Sequence, residues 1–298
     1  MKKILLLMLT ACIPIAAVAG ETVPPPELTM AQIIEKNIAA RGGLEDWRKI
    51  QTMAWLGHIE STHGPAKNLP FILEMKRPNK TRFEIKAQNQ TDARIFDGTH
   101  GWKIRPGKNG MPELQPYTTA ELKFAQDWPG IDGPLIDYKA KGITVSLDGI
   151  DQVEGNKAYR LNIKMSSGTQ HHLWIDAKTF LDIKYDRESK NAFGQTGIVS
   201  VFFRNYHKVE GLQIPLTLES GSAISKTTDK MIIDRIALNP TLKDSVFAKP
   251  NVPWQRREAL VRAGSPQMSR QVTGVAPTIS SQTSREGQQT ASGNGSVQ

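Results

Sequence analysis

Between Gln51 and Leu238, apolar and polar side chains alternate with a period of two, the repeat of a strand that buries one face. Phe71, Leu73 and Met75 fall on one side and Glu74 and Lys76 on the other. After Arg77-Pro78-Asn79 the pattern restarts, with Phe83, Ile85 and Ala87 against Arg82, Glu84 and Lys86. Tyr159, Leu161, Ile163 and Met165 oppose Arg160, Asn162 and Lys164, and Leu181, Ile183 and Tyr185 oppose Asp182, Lys184 and Asp186. Leu212, Ile214, Leu216 and Leu218 make a further stripe. The alternation predicts strands over 51–62, 69–76, 81–88, 92–97, 101–105, 143–152, 157–166, 169–176, 180–188, 197–209, 212–220 and 229–238. Asp97-Gly98, Glu154-Gly155-Asn156, Ser167-Gly168 and Glu210-Gly211 mark tight turns between them.

Helical spacing interrupts this twice. Thr29 and Gln32 form a capping box ahead of an apolar stripe of Met30, Ile33, Ile34 and Ile38, and Gly42-Gly43 stops the helix. Leu44, Trp47 and Ile50 predict one more short helical turn. From Met111 to Gly142, Thr118 and Thr119 cap a run through Ala120, Leu122 and Phe124, before Pro129-Gly130 and Gly133-Pro134 break it. This reads as a helical insertion covering the open side of the sheet. Short hairpin links leave too little chain for two full Greek-key sheets. The expected fold is mainly β: a half-open antiparallel barrel with an N-terminal helix and a helical insertion as its lid. Its apolar side is either an ordinary core sealed by the helices or a ligand cavity. The supply of inward apolar positions, greater than two short helices can cover, favours a cavity.

The ends differ in composition. Met1 to Ala19 reads as an export signal, with Lys2 and Lys3 before an apolar run and Ala17-Val18-Ala19 at its end. The alternative is a lipobox, Leu9-Thr10-Ala11-Cys12, which would leave the chain lipid-anchored through Cys12. Residues 20–27 are a Pro-rich leader, 28–252 the folded domain, and 253–298 a basic and polar tail expected to be disordered. Cys12 is the only cysteine, so export and cleavage would leave no disulfide and no thiol chemistry. The formal charge of +9 falls to about +4 for the body, once Lys2, Lys3 and the arginine-rich tail are set aside. That mild, dispersed charge gives no case for nucleic acid.

Catalytic patterns are missing. His171 and His172 sit on opposite faces of one strand, as do His58 and His63, so neither pair can share a metal. The sequence has neither a Gly-x-Ser-x-Gly elbow nor a phosphate-cradling Gly-rich loop. Asp97 and Asp176 stand where carboxylates ordinarily satisfy turn N–H groups. The expectation is a protein that is not an enzyme and uses no cofactor or metal.

Lys76-Arg77-Pro78-Asn79 between two strands, the Asp97-Gly98 turn leading to Trp102, and Phe247-Ala248-Lys249-Pro250 at the close resemble the bacterial lipoprotein carriers of the LolA/LolB type. In order, these motifs and the N-terminal helix span roughly residues 28 to 252. The resemblance implies a periplasmic half-barrel that shields lipoprotein acyl chains or other lipids on the way to the outer membrane. It also implies an inner-membrane donor complex and an outer-membrane acceptor as partners. The arginine that governs cargo release in that family falls on Arg77, at the rim. The expected cavity lining is Trp55, Phe71, Leu73, Met75, Phe83, Ile85, Trp102, Leu161, Ile163, Leu173 and Ile175, with Ile33, Ile34 and Ile38 as lid contacts. The competing function is a lipid-sensing or protein-interaction module of the envelope that keeps the barrel as scaffold and uses the tail as its contact region.

Overall fold

The computed structural model describes residues 28–61, 68–87, 90–107, 111–190, 196–222 and 228–251. The expected export signal at 1–19 with Cys12, the Pro-rich residues 20–27, His63 and the 253–298 tail lie outside the described residues. Two meanders are joined side by side. The first comprises β1 (Thr52–Ser61), β2 (Asn68–Lys76), β3 (Lys80–Ala87), β4 (Gln90–Phe96), β5 (Gly101–Pro106) and β6 (Pro112–Pro116). The second comprises β7 (Thr144–Val153), β8 (Asn156–Lys164), β9 (Gln170–Asp176), β10 (Asp182–Lys190), β11 (Thr196–Val209), β12 (Leu212–Ser222) and β13 (Thr228–Leu238). β1 pairs with β13, giving one antiparallel sheet whose order runs β6 to β1, then β13 to β7. β6 and β7 are its two edges and do not pair, so the sheet stays open. The chain crosses between these edges through α3 (Thr119–Gln126) and a turn-rich segment, residues 127–143.

Helix ends follow the sequence closely. α1 (Met30–Ala40) opens with the Thr29–Gln32 capping box, and α3 opens with the same device built from Thr118 and Glu121. α2 (Leu44–Lys49) is the single extra turn. α1, α2 and residues 131–143 all pack on one face of the sheet, the inner face. Two apolar clusters form there. One gathers Trp47, Phe71, Leu73, Met75, Phe83 and Leu216 with their neighbours. The other joins Ile33 and Ile34 of α1 to Leu135, Leu161, Ile163 and Leu173. On the outer face, residues 239–247 close the domain. Phe247 is fully buried with Leu242 and Val246, Arg82 donates to the Val246 carbonyl at 3.0 Å while pairing with Glu84, and Lys76 and Lys80 both reach Asp244.

Two expectations are corrected. Residues 112–116, read as part of the insertion, form edge strand β6. Its two flanking prolines mask the alternation, and prolines are tolerated there because an edge strand leaves one row of N–H groups unpaired. After the helical run, at the breaks expected from Pro129-Gly130 and Gly133-Pro134, residues 127–143 are successive turns, as the positive φ angles of Gly130, Gly133 and Gly142 require. In β10 a bulge between Asp182 and Lys184 shifts the register. Asp182 therefore turns inward beneath α1, and Ile183 turns outward against Trp174 and Phe202, the reverse of simple alternation.

Candidate functional site

Cross-strand pairs share a face, so the register fixes what lines the inner wall. Leu73 faces Trp55 on one side and Phe83 on the other, and Phe71 faces Ile85. The rings of Phe71 and Phe83 lie 5.8 Å apart at 49°. Phe71, Leu73, Met75 and Phe83 are buried, while Trp55 and Ile85 are half-buried at the margin. In the second meander Leu161 pairs with Leu173 and Tyr159 with Ile175, bringing Leu161, Ile163, Leu173 and Ile175 against Ile33 and Ile34. Ile38 touches both clusters and joins them into one apolar basin.

Trp102 does not belong to that basin. It pairs with Ile95, which pairs with Arg82, so it lies on the outer face with Ala93, Ile95, Ile104 and Leu114. The inner positions of β4 and β5 are polar instead. Arg94 follows Phe83 in register and Lys103 follows Arg94. Glu121 of α3 bridges both, at 3.3 Å from Arg94 and 3.0 Å from Lys103, and Arg105 pairs with Asp92. Burial alone would raise the Glu121 carboxyl. The backbone N–H of Thr118, Lys103 and Arg94 outweigh it and bring the group down to about 2. Burial pushes the neighbouring Tyr117 phenol up to about 12.

Three covers lie over the basin, and they are held differently. α1 is a seated plug. Ile33 is fully buried, and Asn37 donates to the Phe180 carbonyl at 2.8 Å and to Asp182 at 2.9 Å. Arg41 stands 3.8 Å from the same Asp182 and stacks over Trp47. α3 buries no side chain; its ties are Glu121, the Phe124 ring over Arg187, and Asn79 donating to the Ala125 carbonyl at 3.1 Å. The 127–143 segment inserts Ile131, Leu135 and Ile136 into the basin and is fastened by charge. Arg48 grips Asp137 through two N–H groups at 3.0 and 2.6 Å. Fully buried Asp132 accepts from Arg77 at 2.7 Å and from Lys141, whose pKa burial lowers against the pull of Asp132.

Arg77, expected at the rim, is the point where these parts meet. Its Nε donates to the Ile50 carbonyl at 2.7 Å, and its Nη2 donates to the Trp47 carbonyl at 3.0 Å and to Asp132. It thereby ties the β2–β3 turn to α2 and to the 127–143 segment. Beside it a shallow crevice with no enclosed space for even a water molecule runs between Met75, Asn79 and Thr81 on one wall and Trp128, Gly130 and Ile131 on the other. Ligand pockets enclose several hundred cubic ångströms as a rule, about 300–1,000 Å³, so this crevice holds no ligand. The basin next to it is filled by the chain's own Ile33, Ile34, Ile131, Leu135 and Ile136, so among the described residues the cavity favoured by the sequence reading is instead a core sealed by the helices and turns.

The turn carboxylates do what their positions require. Asp97 accepts from the N–H groups of Thr99 and His100, and Asp176 from those of Lys178 and Thr179. His172 lies on the outer face beside Asp186 and Asp148, opposite His171. Among the described residues no three His, Cys, Asp or Glu side chains converge as metal ligands do.

No family model matches the chain, and no curated protein does. Solved structures do. A LolA superfamily protein from Nitrosomonas europaea shares 14% identity over 75% of this chain and 99% of its own, with a TM-score of 0.49. A putative outer membrane lipoprotein-sorting protein domain from Vibrio parahaemolyticus shares 10% over 73% and 95%, also at 0.49. A DUF1329 family protein from Desulfovibrio piger shares 12% over 72% and 95%, at 0.46. These likenesses extend over most of each of the three chains, at identities of 10 to 14%.

Proposed function

We propose that the protein is an exported carrier that takes the acyl chains of lipoproteins or other lipids onto the inner face of its sheet and conveys them towards the outer membrane. One observation carries this reading: an apolar wall in both meanders is covered by helices and turns tied down with a few polar bonds, with no second sheet among the described residues. Each methylene kept from water is worth about 0.8 kcal/mol, so a tail of about 14 carbons gains on the order of 10 kcal/mol in such a basin. To receive it, Ile131, Leu135 and Ile136 must withdraw and the tail must take their place, an exchange of one apolar filling for another. The Arg77 contacts to Ile50, Trp47 and Asp132 set how easily that happens, which fits the release role the family resemblance implies for this arginine.

The test is native mass spectrometry of the protein purified from cell envelope, followed by titration of the delipidated protein with a fluorescent fatty acid. Co-purified lipid and saturable uptake are expected. Ile85→Asp places a charge on the half-buried margin of the basin and should cut uptake far more than it lowers the melting temperature. Lipid-free protein that takes up no probe would end the proposal.

A further inference from the structure

The inner face carries a cation that the described residues leave unneutralised. Arg187 stands on β10 opposite Val199 and His171, on the face it shares with Tyr185 and Leu173. Its guanidinium sits 4.6 Å from the centre of the Phe124 ring of α3 and makes neither a hydrogen bond nor an ion pair with another described residue. The neighbouring Glu188 is exposed on the other face. Every other inner or latch cation described above has its carboxylate: Arg94 and Lys103 have Glu121, Arg105 has Asp92, Arg77 and Lys141 have Asp132, and Arg41 has Asp182. Burial disfavours the Arg187 charge, yet a guanidinium stays cationic wherever the protein is folded.

A second orphan lies beside it. His171, Arg187's cross-strand partner, is 6% exposed, and its Nδ1 has no hydrogen-bond partner. The imidazole stacks on Tyr185 with centroids 5.2 Å apart. Burial lowers the His171 pKa, with Arg187 acting in the same direction and Asp127 and the Asp186 backbone opposing it. Asp127, the residue that ends α3, acts on His171 and Tyr185 but forms no ion pair with Arg187. A charge and a polar nitrogen left bare in an apolar wall both destabilise the fold, and such costs persist where a ligand removes them. An oxyanion satisfies both. The guanidinium fork donates two N–H groups to a carboxylate or phosphate, and a protonated Nδ1 adds a third.

We propose that Arg187 and His171 form a head-group site beneath α3 for the oxyanion of an acyl-chain ligand, a carboxylate or phosphate whose tail lies along the apolar basin. The inference rests on the carrier reading and narrows it: the cargo includes anionic lipids, chosen by charge as well as by hydrocarbon.

The experiment titrates the delipidated full chain with hexadecanoate, hexadecan-1-ol and inorganic phosphate, each by displacement of a neutral fluorescent probe. Wild type should prefer the acid to the alcohol by about tenfold or more, the worth of a charge-assisted hydrogen bond. Phosphate alone should not displace the probe. Arg187→Gln should erase the preference while leaving alcohol affinity unchanged, and Arg187→Lys should keep part of it. Because the variant removes an unpaired charge, Arg187→Gln should melt no lower than wild type. Equal binding of acid and alcohol by wild type overturns the head-group site and leaves the carrier standing; binding of neither overturns both. Displacement by phosphate alone means a free-anion site and overturns the amphiphile, while a large drop in melting temperature for Arg187→Gln makes Arg187 structural and overturns its role.

Discussion

At Gly57 there is no room for a side chain. A Cβ built there would lie 1.7 Å from the carbonyl oxygen of Ile232 and 3.0 Å from the Phe71 ring, beside the irregularity where the β1–β13 register slips. Gly57→Ala must therefore push apart the pair that joins the two meanders, and a loss of about 2–3 kcal/mol in urea unfolding is expected. Gly149, where an added Cβ meets nothing within 4 Å, is the comparison for φ strain without a clash. His171 supplies a pH prediction at the same scale. Its pKa is lowered in the fold, so on acidification the unfolded chain binds the proton first. The stability it contributes is complete above about 6.5 and is lost as pH falls below that value towards the depressed folded pKa. Unfolding free energies measured from pH 7.5 to 5 should fall more steeply for wild type than for His171→Asn. Single residues also show what alternation can and cannot reveal. Phe71, Leu73, Met75 and Leu161 were legible because each strand's own parity places them. Trp102 was not, because the face it takes depends on how the Asp97–His100 turn sets the β4–β5 register. Arg187 and His171 sit at inward parity, but a basic residue at such a position gives no sign that its partner is missing.

α3 is short and shallow, and its attachment is electrostatic. Glu121 serves at once as the reciprocal half of the capping box and as the acceptor for Arg94 and Lys103. Its pKa is depressed from 4.5 to about 2, so the stability it contributes is present above about 4.5 and is lost as pH falls towards 2. Acid should accordingly free α3 before the sheet unfolds. Tryptophan emission, reporting on Trp128 two residues beyond the helix, should shift below about pH 4.5 while far-ultraviolet dichroism of the strands holds. Glu121→Gln should show the shifted emission already at neutral pH, and a variant that kept wild-type emission would refute this attachment. Thr118→Ala removes the other half of the cap and should cost about 1 kcal/mol, too little to free the helix alone. The caps of α1 and α3 were readable because they are local patterns of four residues. β6 and the β10 bulge were not. One exists only because β5 offers it an edge, and the other only because Asp182 is drawn beneath α1 by Asn37 and Arg41.

The covers are graded in how firmly they are held, and the grading sets an order of opening. α1 contributes fully buried Ile33 and two hydrogen bonds from Asn37, so it should exchange its amide hydrogens only with global unfolding. α3 buries nothing and should exchange fastest. The 127–143 segment lies between: Ile131, Leu135 and Ile136 are buried, but the segment is fastened chiefly through Asp132 and Asp137. Arg77→Leu removes one of the two cations from fully buried Asp132 and releases the carbonyls of Trp47 and Ile50 as well. A buried carboxylate stripped of a partner costs about 3 kcal/mol or more, moderated here because Lys141 remains and Arg77 is partly exposed. Hydrogen exchange followed by mass spectrometry should then show 127–143 and α2 opening about tenfold faster or more in Arg77→Leu, with β8, β9 and α1 unchanged. Bound lipid fills the space those side chains vacate, so adding hexadecanoate should protect the inner strands while leaving 127–143 exposed to exchange. If acceleration spreads evenly over sheet and helices, the covers and the sheet are one cooperative unit, and a carrier built on a separately opening cover is ruled out.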